Sequence, residues 1–91
     1  MIVEWDKKKD AANRRKHKIS FEEAATIFDD PLATTIDDPD HSKEERRYLT
    51  TGLSASGRVL IVSHTYKRGL IRIISARKTT RFERRVYEEE E

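Results

Sequence analysis

Ninety-one residues, 35% of them hydrophobic and 40% charged, make a chain of one domain's length with a heavily charged exterior; a chain of this size buries somewhat over ~60% of the surface its unfolded form exposes, enough for one modest core. The absence of cysteine excludes a disulfide framework and any thiolate metal site, no apolar run approaches the roughly 20 residues of a membrane-spanning helix, and the N-terminus lacks the apolar stretch of a signal peptide, so a cytoplasmic address outside any membrane is expected. The net charge of +2 hides a segregation: residues 1–20 carry +4, 21–45 carry −8, 46–87 carry +10 and 88–91 carry −4, and local clusters decide which polyanion or partner surface is held.

Ile2-Val3-Glu4-Trp5 alternates as a short strand does, after which Asp6 can cap a basic helix over about Lys7 to His17. The apolar face of that helix is thin, with only Ala11 and Ala12 inside it, so Trp5 and the aliphatic stems of its Lys and Arg residues have to hold it. A second helix is better written. Ser20 followed by Glu23 is a capping box, Phe21, Ala24, Ala25 and Phe28 fall at i, i+3, i+4 and i+7, and Asp29-Asp30-Pro31 ends the run. Strands are expected over Ala33 to Ile36, Arg46 to Thr51, Arg58 to Tyr66 and Leu70 to Arg77, joined across Gly52 to Gly57 and Lys67-Arg68-Gly69 by connections of hairpin length. Val59-Leu60-Ile61-Val62 is apolar on both faces, as a central strand is, and His64 lies where that run turns polar. A last helix begins at Thr79 or Thr80, where Thr80 and Glu83 form another capping box. On it Phe82 and Val86 are expected to pack while Glu83, Arg84 and Tyr87 point outward and Arg81 and Arg85 flank them. The expected architecture is a single α+β domain over residues 1–91, an antiparallel sheet of about four strands with two N-terminal helices and one C-terminal helix.

The segment from Ile71 to Tyr87 carries the chemistry. Glu83 is the only carboxylate in the +10 block, and Arg77, closing its strand, can converge with the helix flank on one phosphate, to which guanidinium offers bidentate hydrogen bonds and permanent charge. Arg72 extends that cluster, and Lys78, Arg81, Arg84 and Arg85 are candidate RNA contacts. Cleaving RNA without a metal needs a base for the 2′-hydroxyl proton, cations for the phosphorane-like transition state and an acid for the departing 5′-oxygen. Glu83, Tyr87 and His64 are the candidates for moving those protons. Asp37, Asp38, Asp40, His41, Glu44 and Glu45 surround Pro39 without a recognisable ligand spacing, so no metal site is expected. No GxxxxGK[ST] or GxGxxG occurs, and no nucleotide-dependent chemistry or cofactor is expected. Two rival readings remain: a binding module whose basic face engages RNA or an acidic partner without cleaving, and a DNA-binding regulator. Against the latter, no helix-turn-helix is legible and the best amphipathic helix is acidic.

The chain resembles the BrnT family of type II toxin–antitoxin systems. The residues that carry the resemblance are Glu4-Trp5-Asp6, Lys9, Asn13, Lys16-His17, Ser20-Phe21-Glu22-Glu23-Ala24, Phe28-Asp29-Asp30-Pro31, Asp38-Pro39-Asp40-His41-Ser42, Glu45-Arg46, Gly52, Gly57-Arg58 and, above all, Ile71-Arg72-Ile73-Ile74-Ser75-Ala76-Arg77 with Glu83 and Tyr87. The resemblance implies a RelE-like toxin ribonuclease that cleaves RNA without a metal and arrests growth. It implies a BrnA-type antitoxin partner whose ribbon-helix-helix domain binds DNA, so that DNA is met only through the complex. Carried over, the working surface includes Arg72, Arg77, Glu83 and Tyr87, with His64 and Arg81 beside them.

Overall fold

Asp6 both ends a strand and starts a helix. In the computed structural model, which describes residues 2–41 and 45–89, β1 (Ile2–Glu4) is followed by α1 (Lys7–His17), and the Asp6 carboxylate accepts a hydrogen bond from the Lys9 N–H at 3.0 Å, satisfying one donor of the first turn. Ser20 caps α2 (Phe21–Ala25) by accepting from the Glu23 N–H at 3.0 Å. The Glu23 carboxylate is drawn across the molecule, where Ser54 Oγ donates to it at 2.7 Å and Arg58 Nε at 2.9 Å. After Ala25 the chain tightens into a 3₁₀ turn (Thr26–Asp29), then runs through β2 (Thr34–Asp37), a second 3₁₀ turn (Pro39–His41), β3 (Tyr48–Leu53), β4 (Val59–Lys67), β5 (Leu70–Lys78) and α3 (Arg81–Glu89).

Short connections over residues 54–58 and 68–69 make β3, β4 and β5 consecutive antiparallel neighbours, and β2 pairs antiparallel with β3 across the longer stretch 38–47. The expectation of about four strands, all antiparallel, needs correcting: the described residues form a five-stranded mixed sheet in the order β1-β5-β4-β3-β2, with β1 parallel to β5. The register Ile2↔Leu70, Val3↔Ile71, Glu4↔Arg72 joins residues too distant in sequence for any turn signal to announce. Gly52, expected in a connection, is a buried residue of β3, where a Cβ would stand 3.1 Å from the Ile27 carbonyl oxygen.

One face of the sheet is covered. Leu60, Val62, Ile73 and Ala76 pack against Ile19, Phe21, Ala24 and Ile27, with Trp5 and Phe28 at the margin. α1 contributes a side-chain amide to this assembly: Asn13 Nδ2 donates to the carbonyls of Ile19 and Ala76, both at 2.9 Å, and Oδ1 accepts from the Ala76 N–H at 3.1 Å. Beyond Arg72, where β1 stops, the Asn13 amide thus pairs with the β5 edge as another strand would.

The opposite face depends on a bulge. Ser63 is opposite Ser75 but His64 is opposite Ile73, so β5 holds one extra residue there. Ile73 and Ala76 therefore both point into the core, although three residues apart. Arg72, opposite Thr65, and Arg77, opposite Ile61, both point to the other face.

Candidate active site

Cross-strand register lays two rows of side chains on that second face. Arg77, Ile61, Thr51 and Thr34 form one, and Ser75, Ser63, Leu49 and Ile36 the next. α3 closes over them. Its start is fixed by Thr80, whose Oγ1 accepts from the Glu83 N–H at 3.1 Å while Glu83 Oε1 accepts from the Thr80 N–H at 2.8 Å, a complete capping box.

The same Glu83 carboxylate holds Arg77. Nη1 donates to Oε1 at 2.8 Å and Nη2 to Oε2 at 3.0 Å, and this guanidinium pairing, with the Thr80 N–H, brings Glu83 down to a pKa of about 2. Arg77 is raised in turn by its bond to Glu83. Nη1 also donates to the Lys78 carbonyl at 3.1 Å. Of the five guanidinium donors, the Nε–H and one Nη2–H remain without an acceptor among the described residues, and these two form the side-on fork that matches two phosphate oxygens.

One turn further along α3, Tyr87 is buried and its hydroxyl donates to Asp30. Burial pushes the Asp30 carboxyl up, but the Tyr87 hydroxyl and the N–H groups of Leu53 (2.8 Å) and Leu32 (2.9 Å) outweigh it and hold the group below its ordinary value. These two anchors set the rotation of the helix and reverse the expected one. Glu83 and Tyr87 face the body, whereas Phe82 is 71% exposed and Val86 38%. Apolar periodicity could not foresee two polar anchors supplied by residues outside the helix. Phe82 and Val86 instead wall a groove of about 300 Å³ whose floor is Thr34, Ile36, Leu49, Thr51 and Ile61 and at which Arg77, Glu83 and Tyr87 converge.

Arg72 shares the face of Arg77 and is paired with Glu4 from β1. Arg84 pairs with Glu88 at 3.2 Å; Lys78, Arg81 and Arg85 are exposed and make no ion pair among the described residues. His64 is not brought to this groove. It is wholly buried on the helix-covered face among the rings of Phe28, Tyr48 and Tyr66, with Nε2 2.6 Å from Thr50 Oγ1, and burial lowers its pKa to about 4. In the acidic segment Asp37 pairs with Arg46 at 3.2 Å; Ser42, Glu44 and the terminal Glu90 and Glu91 lie outside the described residues. Sequence reasoning gave no site role to Asp30, read as part of a helix stop, or to Glu4, although both lie in segments that carry the resemblance. It also missed the groove floor, which strand alternation identifies only once the pairing with Arg77 is known.

The family model described as "Ribonuclease toxin, BrnT, of type II toxin-antitoxin system" matches residues 5–83, a span that includes Arg72, Arg77 and Glu83 and ends before Tyr87. Among solved structures, the 1.1 Å crystal structure of the Brucella abortus ribonuclease toxin, BrnT, is similar at 19% sequence identity and a TM-score of 0.65, over 89% of this chain and 99% of that one, a likeness of fold. No curated protein matches the chain significantly.

Proposed function

The chain belongs to the BrnT family of type II toxin–antitoxin ribonuclease toxins, and we propose that it is a metal-independent endoribonuclease whose working site is the groove between α3 and the open sheet face. The observation that carries the reading is the Arg77 guanidinium, which lines that groove, is fixed by both oxygens of Glu83 and keeps two N–H donors without an acceptor among the described residues. In the reaction the 2′-hydroxyl loses its proton to solvent water as its oxygen attacks phosphorus, forming one P–O bond. The P–O5′ bond breaks, and the 5′-oxygen leaves as a hydroxyl once protonated, giving a 2′,3′-cyclic phosphate. Arg77 neutralises the charge that grows on the non-bridging oxygens, a role suited to a cation already oriented before substrate arrives.

Glu83 is a positioning residue in this scheme. Held near pKa 2, it is too weak a base for a 2′-hydroxyl at neutral pH, and both its oxygens are occupied. Tyr87, also on the groove, is the general acid of this scheme: its hydroxyl, which donates to Asp30 in the free protein, exchanges that acceptor for the leaving 5′-oxygen when RNA is bound. His64, buried on the other face, is assigned to packing. Lys78, Arg81 and Arg85 bind the RNA backbone, joined by Arg72 and Arg84 where they are released from Glu4 and Glu88. The protein acts in the cytoplasm and is neutralised by a BrnA-type antitoxin whose ribbon-helix-helix domain supplies all DNA binding.

The test is incubation of purified, antitoxin-free protein with end-labelled RNA in EDTA. Fragments ending in 2′,3′-cyclic phosphate are expected; cleavage that appears only when a divalent ion is restored overturns metal independence. A binding-only module is the second reading, favoured by the saturation of Glu83, and it predicts bound but intact RNA.

A further inference from the structure

Most of the arginines that stood out in the sequence are neutralised by the fold. Arg46, Arg58, Arg72, Arg77 and Arg84 each lie on a carboxylate. Beside Lys78, Arg81 and Arg85, the open positive charge among the described residues is on α1. Lys7, Lys8, Lys9, Arg15 and Lys16 are exposed and in no ion pair among the described residues, and the helix's one acid, Asp10, is taken by Arg14 at 3.6 Å and by the Phe21 N–H at 2.8 Å. Three of these lysines occupy the first three positions of the helix. There the macrodipole is positive and cations are least welcome, so the arrangement costs stability that the fold itself gives no reason to spend.

Position supplies the reason. The Asn13 amide fastens α1 along the free edge of β5, and Lys9, Ala12, Asn13 and Lys16, spaced i, i+3, i+4, i+7, line a shallow channel with Ile74 and Ser75 of β5. Ser75 belongs to the groove face and falls between Arg72 and Arg77 in the strand. Lys9 and Lys16 stand about 10 Å apart along the helix axis, a separation that successive phosphates of a strand can bridge.

We propose that the Lys9–Lys16 flank of α1 is a second phosphate-binding site, a track for the single-stranded RNA that flanks the cleaved position and leads over Ser75 to Arg72 and Arg77. The path to the scissile phosphate rests on the ribonuclease reading above. An acidic protein partner fits this flank less well. Protein interfaces are anchored by buried apolar or aromatic side chains, and α1 presents only alanine between its cations.

The test measures binding of a short 2′-O-methyl oligoribonucleotide, which has no attacking hydroxyl, across a range of salt concentrations. Lys9→Gln/Lys16→Gln should weaken binding at low salt and make the slope of log affinity against log salt shallower by about 1.4, the counterions of two single-strand phosphates. Arg46→Gln/Lys67→Gln, which removes equal charge away from the α1 flank, should leave the slope unchanged. Equal slopes for wild type and the α1 variant, or equal loss in both variants, overturn the proposal. So does an unchanged RNA slope accompanied by lost antitoxin binding, which would assign α1 to the antitoxin. Failure of the wild type to cleave ordinary RNA would sink the ribonuclease reading instead, and the slopes would still decide whether the track exists.

Discussion

Two titratable residues are displaced from their ordinary values by opposite means, and the contrast underlies the roles proposed for them. Glu83 is held charged by Arg77, so it orients a cation. His64 is held neutral by burial, with a pKa of about 4 in place of 6.5, so it does not shuttle protons near neutrality. His64 makes a prediction about stability. Below about pH 6.5 the unfolded chain protonates this histidine and the folded chain does not, so its contribution is whole above that pH, falls as pH drops and is lost through pH 4, a total of about 3 kcal/mol. Urea titrations of wild type and His64→Leu from pH 7.5 to 4 should converge as the wild type loses stability; curves that stay parallel contradict a buried neutral imidazole.

At the scale of elements, α1 shows how a helix without an apolar face can still be docked. Its three Asn13 hydrogen bonds are buried, and Asn13→Ala leaves the Ala76 N–H and two carbonyls without partners, which should cost about 3 kcal/mol. Chemical denaturation checks this, and a loss under about 1 kcal/mol would mean that Trp5 and the lysine stems suffice. The sequence had suggested those stems because Asn13 forms its partnership with a strand 63 residues away. Elements written in local terms were legible: the hairpin strands, the Ser20 and Thr80 caps and the start of α2. Three features were not, each because it depends on a distant residue. They are the parallel pairing of β1, the extra residue in β5 that turns Arg72 and Arg77 to one face, and the rotation of α3 set by Asp30 and Arg77.

For the molecule as a whole, the alternating charge of the sequence becomes internal pairing when the chain folds. Glu23 and Asp37 of the acidic block meet Arg58 and Arg46, and Glu4 crosses the sheet edge to Arg72. Arg77, Glu83 and Tyr87 of the basic C-terminal segment converge on one groove, but five arginines of that segment and the residues before it are paired with carboxylates. The attraction for a polyanion therefore falls to α1, Lys78, Arg81 and Arg85. None of the helices among the described residues is long and apolar enough to cross a membrane. The central claim is that Arg77, preset by Glu83, stabilises the scissile phosphate. Single-turnover RNA cleavage by Arg77→Ala and Arg77→Lys, with melting curves to establish that each is folded, tests it most directly. The account predicts a loss of about 10²–10³ in rate for Arg77→Ala and little recovery in Arg77→Lys, whose point charge lacks the fork; a folded Arg77→Ala protein that cleaves at the wild-type rate would contradict it.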